Sequence, residues 1–411
     1  MSWPKLPLDQ LGYVSRGRSR HRPRNDPLLY GGQYPFIQTG DVKHASFRIY
    51  QHSATYSEAG LAQSRLWPKD TLCITIAANI ADTALLAYEA CFPDSVIGFV
   101  ADRDKADPRF VKYYFNIIQR ELQMVSQGAT QDNLSQEKLL SFGIACPPVE
   151  VQRQVAEVLA TYDDLIATNQ RRIALLEQAA RLLYREWFVH LRFPGHESVP
   201  VKFGEPEGWR MVSIADQASY LNRGIAPKYD DTAKGWVINQ KCIRDGRITM
   251  VPARRQSKDV KPDRLVRMGD VLINSTGAGT LGRVAQVWSP IKDCTVDTHV
   301  TIVRPIDINS STYFGQALLN LEPLFAEMGK GATNQLELSR SDIGDIKIWQ
   351  PPEHVRVEFH RMVGPMLEQA EQLSIAIQLL QRARDLLLPK LMSGQLDVSG
   401  IAQPEAEEVA A

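Results

Sequence analysis

The chain has 411 residues, 44% of them hydrophobic and 23% charged, which suits a folded soluble protein and excludes a wholly disordered one. Its length suits about two to four domains. The 47 basic residues cancel the 47 acidic ones, so bulk charge names no partner and only a local imbalance could.

The first ten residues hold Pro4, Pro7 and Asp9 and no apolar run, so no secretion signal is expected. No uncharged apolar stretch reaches the ~18 residues that a membrane helix needs. The richest stretch, residues 75–92, is interrupted by Asp82 and Glu89. Residues 1–149 carry short alternating runs such as 71–76 between Pro, Gly and Asp, which are strand and turn signals. Residues 108–123 read as helix. This predicts a mixed, mostly β globule with peripheral helices. Its first 48 residues hold 8 Lys/Arg against 3 Asp, a balance of +5. The densest cluster is Arg16, Arg18, Arg20, Arg22 and Arg24, with His21 among them.

Residues 150–190 follow Pro147-Pro148 and lack Gly and Pro. Val155, Leu159, Tyr162, Ile166, Asn169, Ile173, Leu176, Ala180, Leu183 and Trp187 recur at alternating spacings of 4 and 3. A sustained 3.5-residue period is a coiled-coil seam. A second globule follows at 191–352, with segments such as 296–303 reading as strand. Residues 210–267 hold 13 Lys/Arg and 6 Asp, a balance of +7, with Arg223, Arg254, Arg255 and Lys258 prominent. Residues 353–393 repeat the seam as Phe359, Val363, Met366, Ala370, Leu373, Ile377, Leu380, Arg384, Leu387 and Leu391. Pro365 predicts a kink or a late start in this helix. Asn169 and Arg384 fall at different places in the register, so either could fix alignment, and Arg384 could instead snorkel outward. The tail, residues 394–411, is acidic and is expected to be flexible at its end.

The second half of the chain repeats the first. Arg16-Gly17 matches Arg223-Gly224, Asp70-Thr71-Leu72 matches Asp270-Val271-Leu272, Gly128-Ala129-Thr130 matches Gly331-Ala332-Thr333, and the two Pro-Pro pairs lie 204 residues apart. Two equal helices, each preceded by an equivalent globule, predict an internal two-fold with the helices paired antiparallel. The fold class expected is therefore α+β: two tandem mixed domains separated by two long α-helices that pair as an antiparallel coiled coil.

Basic clusters recurring at comparable places point to a polyanion surface. Two similar but unequal globules suit a ligand with two unlike sites in a line, such as duplex DNA with a split target. Polar side chains in matched loops are the candidates for base edges: Gln38, Thr39, Lys43, Thr130, Gln131 and Asn133, then Asn239, Gln240, Lys241, Thr333, Asn334 and Gln335.

A search for catalytic motifs fails. Gly277-Ala278-Gly279-Thr280-Leu281-Gly282 fits the dinucleotide pattern, but the segment after it reads as strand, so a hairpin is expected. No Walker A, His-Glu-x-x-His, Gly-x-Ser-x-Gly or adenine-methyltransferase tetrad is present. The eight histidines show no metal-ligand spacing. Cys73, Cys91, Cys146, Cys242 and Cys294 are odd in number and form no Cys-x-x-Cys pair, which suits reduced, buried thiols in a cytoplasmic protein.

The order of these features resembles the specificity subunit of type I restriction-modification systems. The likeness rests on the two globules alternating with two helices. It rests also on Phe36-Ile37-Gln38-Thr39-Gly40-Asp41, on the paired Gly-Ala-Thr loops, on Pro147-Pro148 with Gln152-Arg153-Gln154, and on Leu388-Pro389-Lys390-Leu391-Met392-Ser393-Gly394. The second globule departs from it with Asn239-Gln240 where Gly-Asp would stand. The resemblance implies a non-catalytic reader of bipartite, asymmetric duplex DNA, with no catalytic residue, metal or cofactor of its own. It implies two methyltransferase subunits as partners, which bind S-adenosylmethionine, and restriction subunits, which use ATP and Mg. The helices then space the two target-recognition domains and dock the methyltransferase subunits. A methyltransferase or nuclease with an unrecognised active site, and a coiled-coil scaffold without DNA, are the alternatives.

Overall fold

A computed structural model describes residues 3–127, 134–329 and 337–398. Two compact units emerge. Unit 1 comprises Met1–Thr168 with Ile377–Ala411, and unit 2 comprises Asn169–Ala376. Each unit is thus a globule plus one half of each long helix, which differs from a division into consecutive segments.

Unit 1 is built on a five-stranded sheet. Its order is Gly12–Arg16, Val96–Ala101, Leu72–Thr75, Thr83–Leu86 and Arg48–Ile49, antiparallel except for the last pair. The run Leu72-Cys73-Ile74-Thr75 is buried on both faces, as the unbroken apolar stretch requires. The helix Pro108–Gln127 covers one face, through Phe110, Val111, Tyr113 and Ile118. Lys5–Leu6 pairs with Ile144–Ala145 and so closes the globule where the first long helix begins.

Unit 2 repeats this plan. Ala218–Arg223, Val300–Pro305, Val271–Asn274 and Val284–Gln286 form an antiparallel sheet in the equivalent order. Arg210–Ser213 pairs with Lys347–Gln350 as the closing ribbon. A second sheet holds Arg254–Gln256, Gly235–Ile238 and Cys294–Val296. Residues 296–303 are therefore two strands, divided by a turn at Asp297. Val271–Asn274 and Val284–Gln286 form the expected hairpin across the glycine-rich turn.

The first long helix runs Val149–Tyr184 and ends in one π-helical turn, Arg185–Val189. The second runs Glu353–Met392 and continues through Pro365, so the late start does not occur. All twenty seam positions are buried or half-buried. Within unit 1, Val155 and Leu159 join Leu391 and Met392 in one core, while Asp163 meets Arg384. Within unit 2, Tyr184, Trp187 and Phe188 surround Phe359, with ring centroids 4.9–6.4 Å apart. In both units the two helices run antiparallel. Arg384 stays in the seam, held by the Asp163 carboxylate, and does not snorkel out.

Candidate nucleic-acid interface

In unit 1 one end of the sheet gathers four strand termini. Arg16 pairs with Ile97, Thr75 with Val96, and Ile74 with Thr83. The chain leaves Arg16 through Gly17, whose amide donates to the Val96 carbonyl at 2.9 Å. A Cβ at Gly17 would lie 2.2 Å from the Phe92 carbonyl oxygen, so only glycine permits this approach. The loop is then pinned by its backbone. Gln63 Oε1 accepts from the amides of Arg20 and His21 at 2.6 and 3.0 Å, and Ser64 Oγ donates to the Arg18 carbonyl at 2.9 Å. Pinning the main chain leaves the side chains of Arg16, Arg18, Arg20, Arg22 and Arg24 exposed.

These arginines are not equivalent. Arg24 forms a fork on Asp94 at 2.8 and 3.1 Å. Arg22 donates to the Ser19 and His21 carbonyls, at 2.7 and 2.8 Å. Arg16, Arg18 and Arg20 have no carboxylate within ion-pair distance among the described residues.

The same end carries the amide-and-lysine group. Gln38 precedes the short helix Thr39–His44, and its backbone N–H donates to Asp41 Oδ2 at 2.8 Å. Lys43 Nζ donates to Asn79 Oδ1 at 3.1 Å, which ties this helix to the hairpin turn at residues 77–82. Leu134 returns to the Ile76 carbonyl at 3.1 Å. Thr130, Gln131 and Asn133 lie outside the described residues.

Unit 2 builds the same end with different commitments. Gly224 sits against the Val296 carbonyl as Gly17 sits against that of Phe92. Arg223 is half-buried, pairs with Glu337 and donates to the Leu338 carbonyl at 2.8 Å. It therefore anchors the chain at Leu338, which returns to the Ser275 carbonyl as Leu134 returns to that of Ile76. Asn239 is spent structurally: its Oδ1 caps a turn by accepting from the Lys241 amide at 2.9 Å, and its Nδ2 donates to the Pro252 carbonyl at 2.8 Å. Lys241 is exposed, and the Gln240 side chain lies against the Gly277 turn. Arg254 stacks on Tyr229 at 3.6 Å and Arg255 on Trp236 at 3.8 Å. Lys258 Nζ donates to the Ala226 carbonyl at 3.2 Å. Thr333, Asn334 and Gln335 lie outside the described residues.

Sequence reasoning expected a hairpin at Gly277 but did not count residues of the hairpin turns among the candidate contacts. Asn79 in unit 1, and Thr276 and Arg283 in unit 2, stand at this end of the sheets, and Thr276 Oγ1 is 2.6 Å from His299 Nδ1. Their signal was position alone, between two buried strands. Beside them Asp297 is 3% exposed, and burial raises its carboxyl pKa. All five cysteines are free and buried, and burial pushes the Cys146 and Cys242 thiols up to about 11, which suits packing and not nucleophilic chemistry. No group of three metal-ligating side chains occurs among the described residues, and no described helix is long and apolar enough to cross a membrane.

The arrangement is therefore a twice-built sheet end whose backbone is locked and whose exposed groups are guanidinium, ammonium and amide. Residues 2–178 match the family model described as type I restriction modification DNA specificity domain. The chain is 26% identical over 418 residues to the type I restriction enzyme MjaIX specificity subunit of Methanocaldococcus jannaschii, covering 96% of this chain and 94% of that protein. It is 21% identical to the HindI specificity subunit of Haemophilus influenzae, covering 94% and 98%. The crystal structure of the S subunit from M. genitalium shares its fold, with a TM-score of 0.63 at 16% identity over 95% of this chain and 96% of that one. Residues 2–178 thus match a type I restriction modification DNA specificity domain, and the chain as a whole is similar, end to end, to named type I specificity subunits.

Proposed function

We propose that the chain reads a bipartite, asymmetric target on duplex DNA, one half with each unit. The observation that carries this is the sheet end built twice, on equivalent strands, with exposed cations over a pinned backbone. Exposed guanidinium groups without carboxylate partners suit phosphate oxygens, while Gln38, Lys43, Gln240 and Lys241 suit base edges in the major groove. The long helices set the distance between the half-sites and dock two methyltransferase subunits. S-adenosylmethionine belongs to those subunits, and ATP and Mg to restriction subunits. The chain itself supplies recognition and no catalysis, and acts in the cytoplasm.

The test is DNA binding by the full chain, with its methyltransferase partner, across a salt series. Arg16, Arg18 and Arg20 changed together to Ala should weaken binding at least about tenfold. If each grips one phosphate, the salt slope should fall by about 0.9 per contact. Unchanged affinity and slope would refute the phosphate role. Binding of S-adenosylmethionine by the isolated chain would favour the methyltransferase alternative.

A further inference from the structure

Each unit seats a stretch of helix from a distant part of the chain: residues 377–392 in unit 1 and 169–188 in unit 2. The repeat offset of 204 makes the two stretches equivalent, and also the surfaces that receive them. Each stretch therefore has two similar seats available during folding, in its own chain or in another.

The chemistry of the two seats differs. In unit 1, Arg384 Nη1 donates to Asp163 Oδ1 at 2.5 Å, and Tyr113 donates its hydroxyl to Asp163 Oδ2 at 2.6 Å. The Asp163 side chain is only 11% exposed. Lys112 is 4% exposed and donates to Asn116 Oδ1 at 2.6 Å. Burial lowers the Lys112 pKa to about 8, with Asp163 and Asp82 opposing the shift. At the equivalent positions of the long helices unit 2 has Leu367 for Asp163 and Ala180 for Arg384. Leu367 and Ala180 belong to its apolar core.

We propose that Asp163 and Arg384 form an address, which confines residues 377–392 to unit 1 and keeps residues 169–188 out of it. Misplaced into unit 2, Arg384 would face Leu367 in place of Asp163 and would keep only the exposed carboxylate of its own neighbour Asp385, which it also contacts at 2.8 Å in unit 1. Misplaced into unit 1, Ala180 would leave Asp163 without its arginine. A buried ion pair adds little over a well-packed apolar pair, but removing one partner is strongly destabilising. That asymmetry yields discrimination between seats, on the order of a hundredfold or more per mismatch, without requiring extra stability in the correct one. The claim holds whatever the chain binds.

Single variants of the full chain reproduce each mismatch. Asp163→Leu shows Arg384 the face that unit 2 would offer. Arg384→Ala offers Asp163 the residue that belongs in unit 2. Each should lower the thermal midpoint by roughly 10 °C, and the double variant D163L/R384A should return to within roughly 3 °C of the starting protein. After refolding at high concentration the unaltered chain should return at single-chain mass, while the double variant should also give dimers that have exchanged helices, read by light scattering. A double variant no more stable than the singles would reveal an ordinary stabilising pair. A double variant that regains stability yet refolds only as single chains would show that Tyr184, Trp187 and Phe188 enforce the placement by shape. Either result overturns the proposal.

Discussion

At the scale of single residues, backbone geometry and burial separate positions that composition treats alike. Gly17 and Gly224 are required by carbonyls that a Cβ would approach to 2.2 and 1.9 Å, whereas a Cβ at Gly40 would meet nothing within 4 Å. Gly17→Ala and Gly224→Ala should each destabilise by about 1–3 kcal/mol in urea unfolding. Gly40→Ala should be neutral within about 0.5 kcal/mol or slightly stabilising. Asp297 carries a different signature. Burial raises its carboxyl pKa in the folded state, so between the unfolded and folded values the folded protein binds more protons at this site than the unfolded chain. Stability from this group is therefore greatest below the unfolded value of about 3.9 and is lost as pH rises through the folded value. Asn keeps the acceptor that receives the His299 amide and does not titrate. Asp297→Asn should gain on the unaltered protein between pH 4 and pH 7.5, and an equal difference at both pH values would refute this account.

At the scale of elements, the long helices were legible because a 3.5-residue period survives ten seam positions in each. Their exposed faces still carry Leu165, Leu175, Leu182, Leu379 and Leu386, between 46% and 69% exposed, which the seam pattern does not use. The spacing role proposed for the helices is measurable. Inserting four residues at Ala167-Thr168 adds about 6 Å, close to two base pairs, and keeps the apolar stripe nearly in phase. If the pairing register survives, methylation mapping should return both half-sites with a longer gap between them. An unchanged gap with full activity would show that the helices dock partners and do not measure DNA. The hairpin turns make the opposite case. Ala78 and Ala81 take a φ of +63° where the other repeat has Gly279 and Gly282 at +72° and +81°. Aligning the repeats predicts such a turn in unit 2 but gives no hint that alanine adopts it in unit 1.

At the scale of the whole molecule, modularity follows from the duplication, but its boundaries do not follow chain order. On the proposed function, exchanging residues 1–149 for the first domain of a type I specificity subunit should change one half of the target only. A change in both halves, or in neither, would refute separate reading. The graft must also keep apolar residues facing Val155, Leu159, Leu391 and Met392, because these share the core of unit 1. A chimera that fails at those contacts should unfold at lower temperature while its second unit keeps its own transition.

The duplication, the alternation of globule and helix, the seam and the basic stretch at Arg16–Arg24 were legible along the chain, because periodicity, repeat offset and charge density are properties of neighbours in sequence. The strand at Leu72–Thr75 and the hairpin at Gly277 were readable for the same reason. Which cations lack a carboxylate partner among the described residues depends instead on the folded arrangement. Arg24 is taken by Asp94, seventy residues away, and Arg223 by Glu337, while Asn239 is tied at both ends of its amide. The folded arrangement also decided that residues 377–392 complete the core of the first globule and that Arg384 finds Asp163 across 221 positions. Such pairings depend on distances in space, and a residue type at a given spacing cannot reveal which partner will neutralise it.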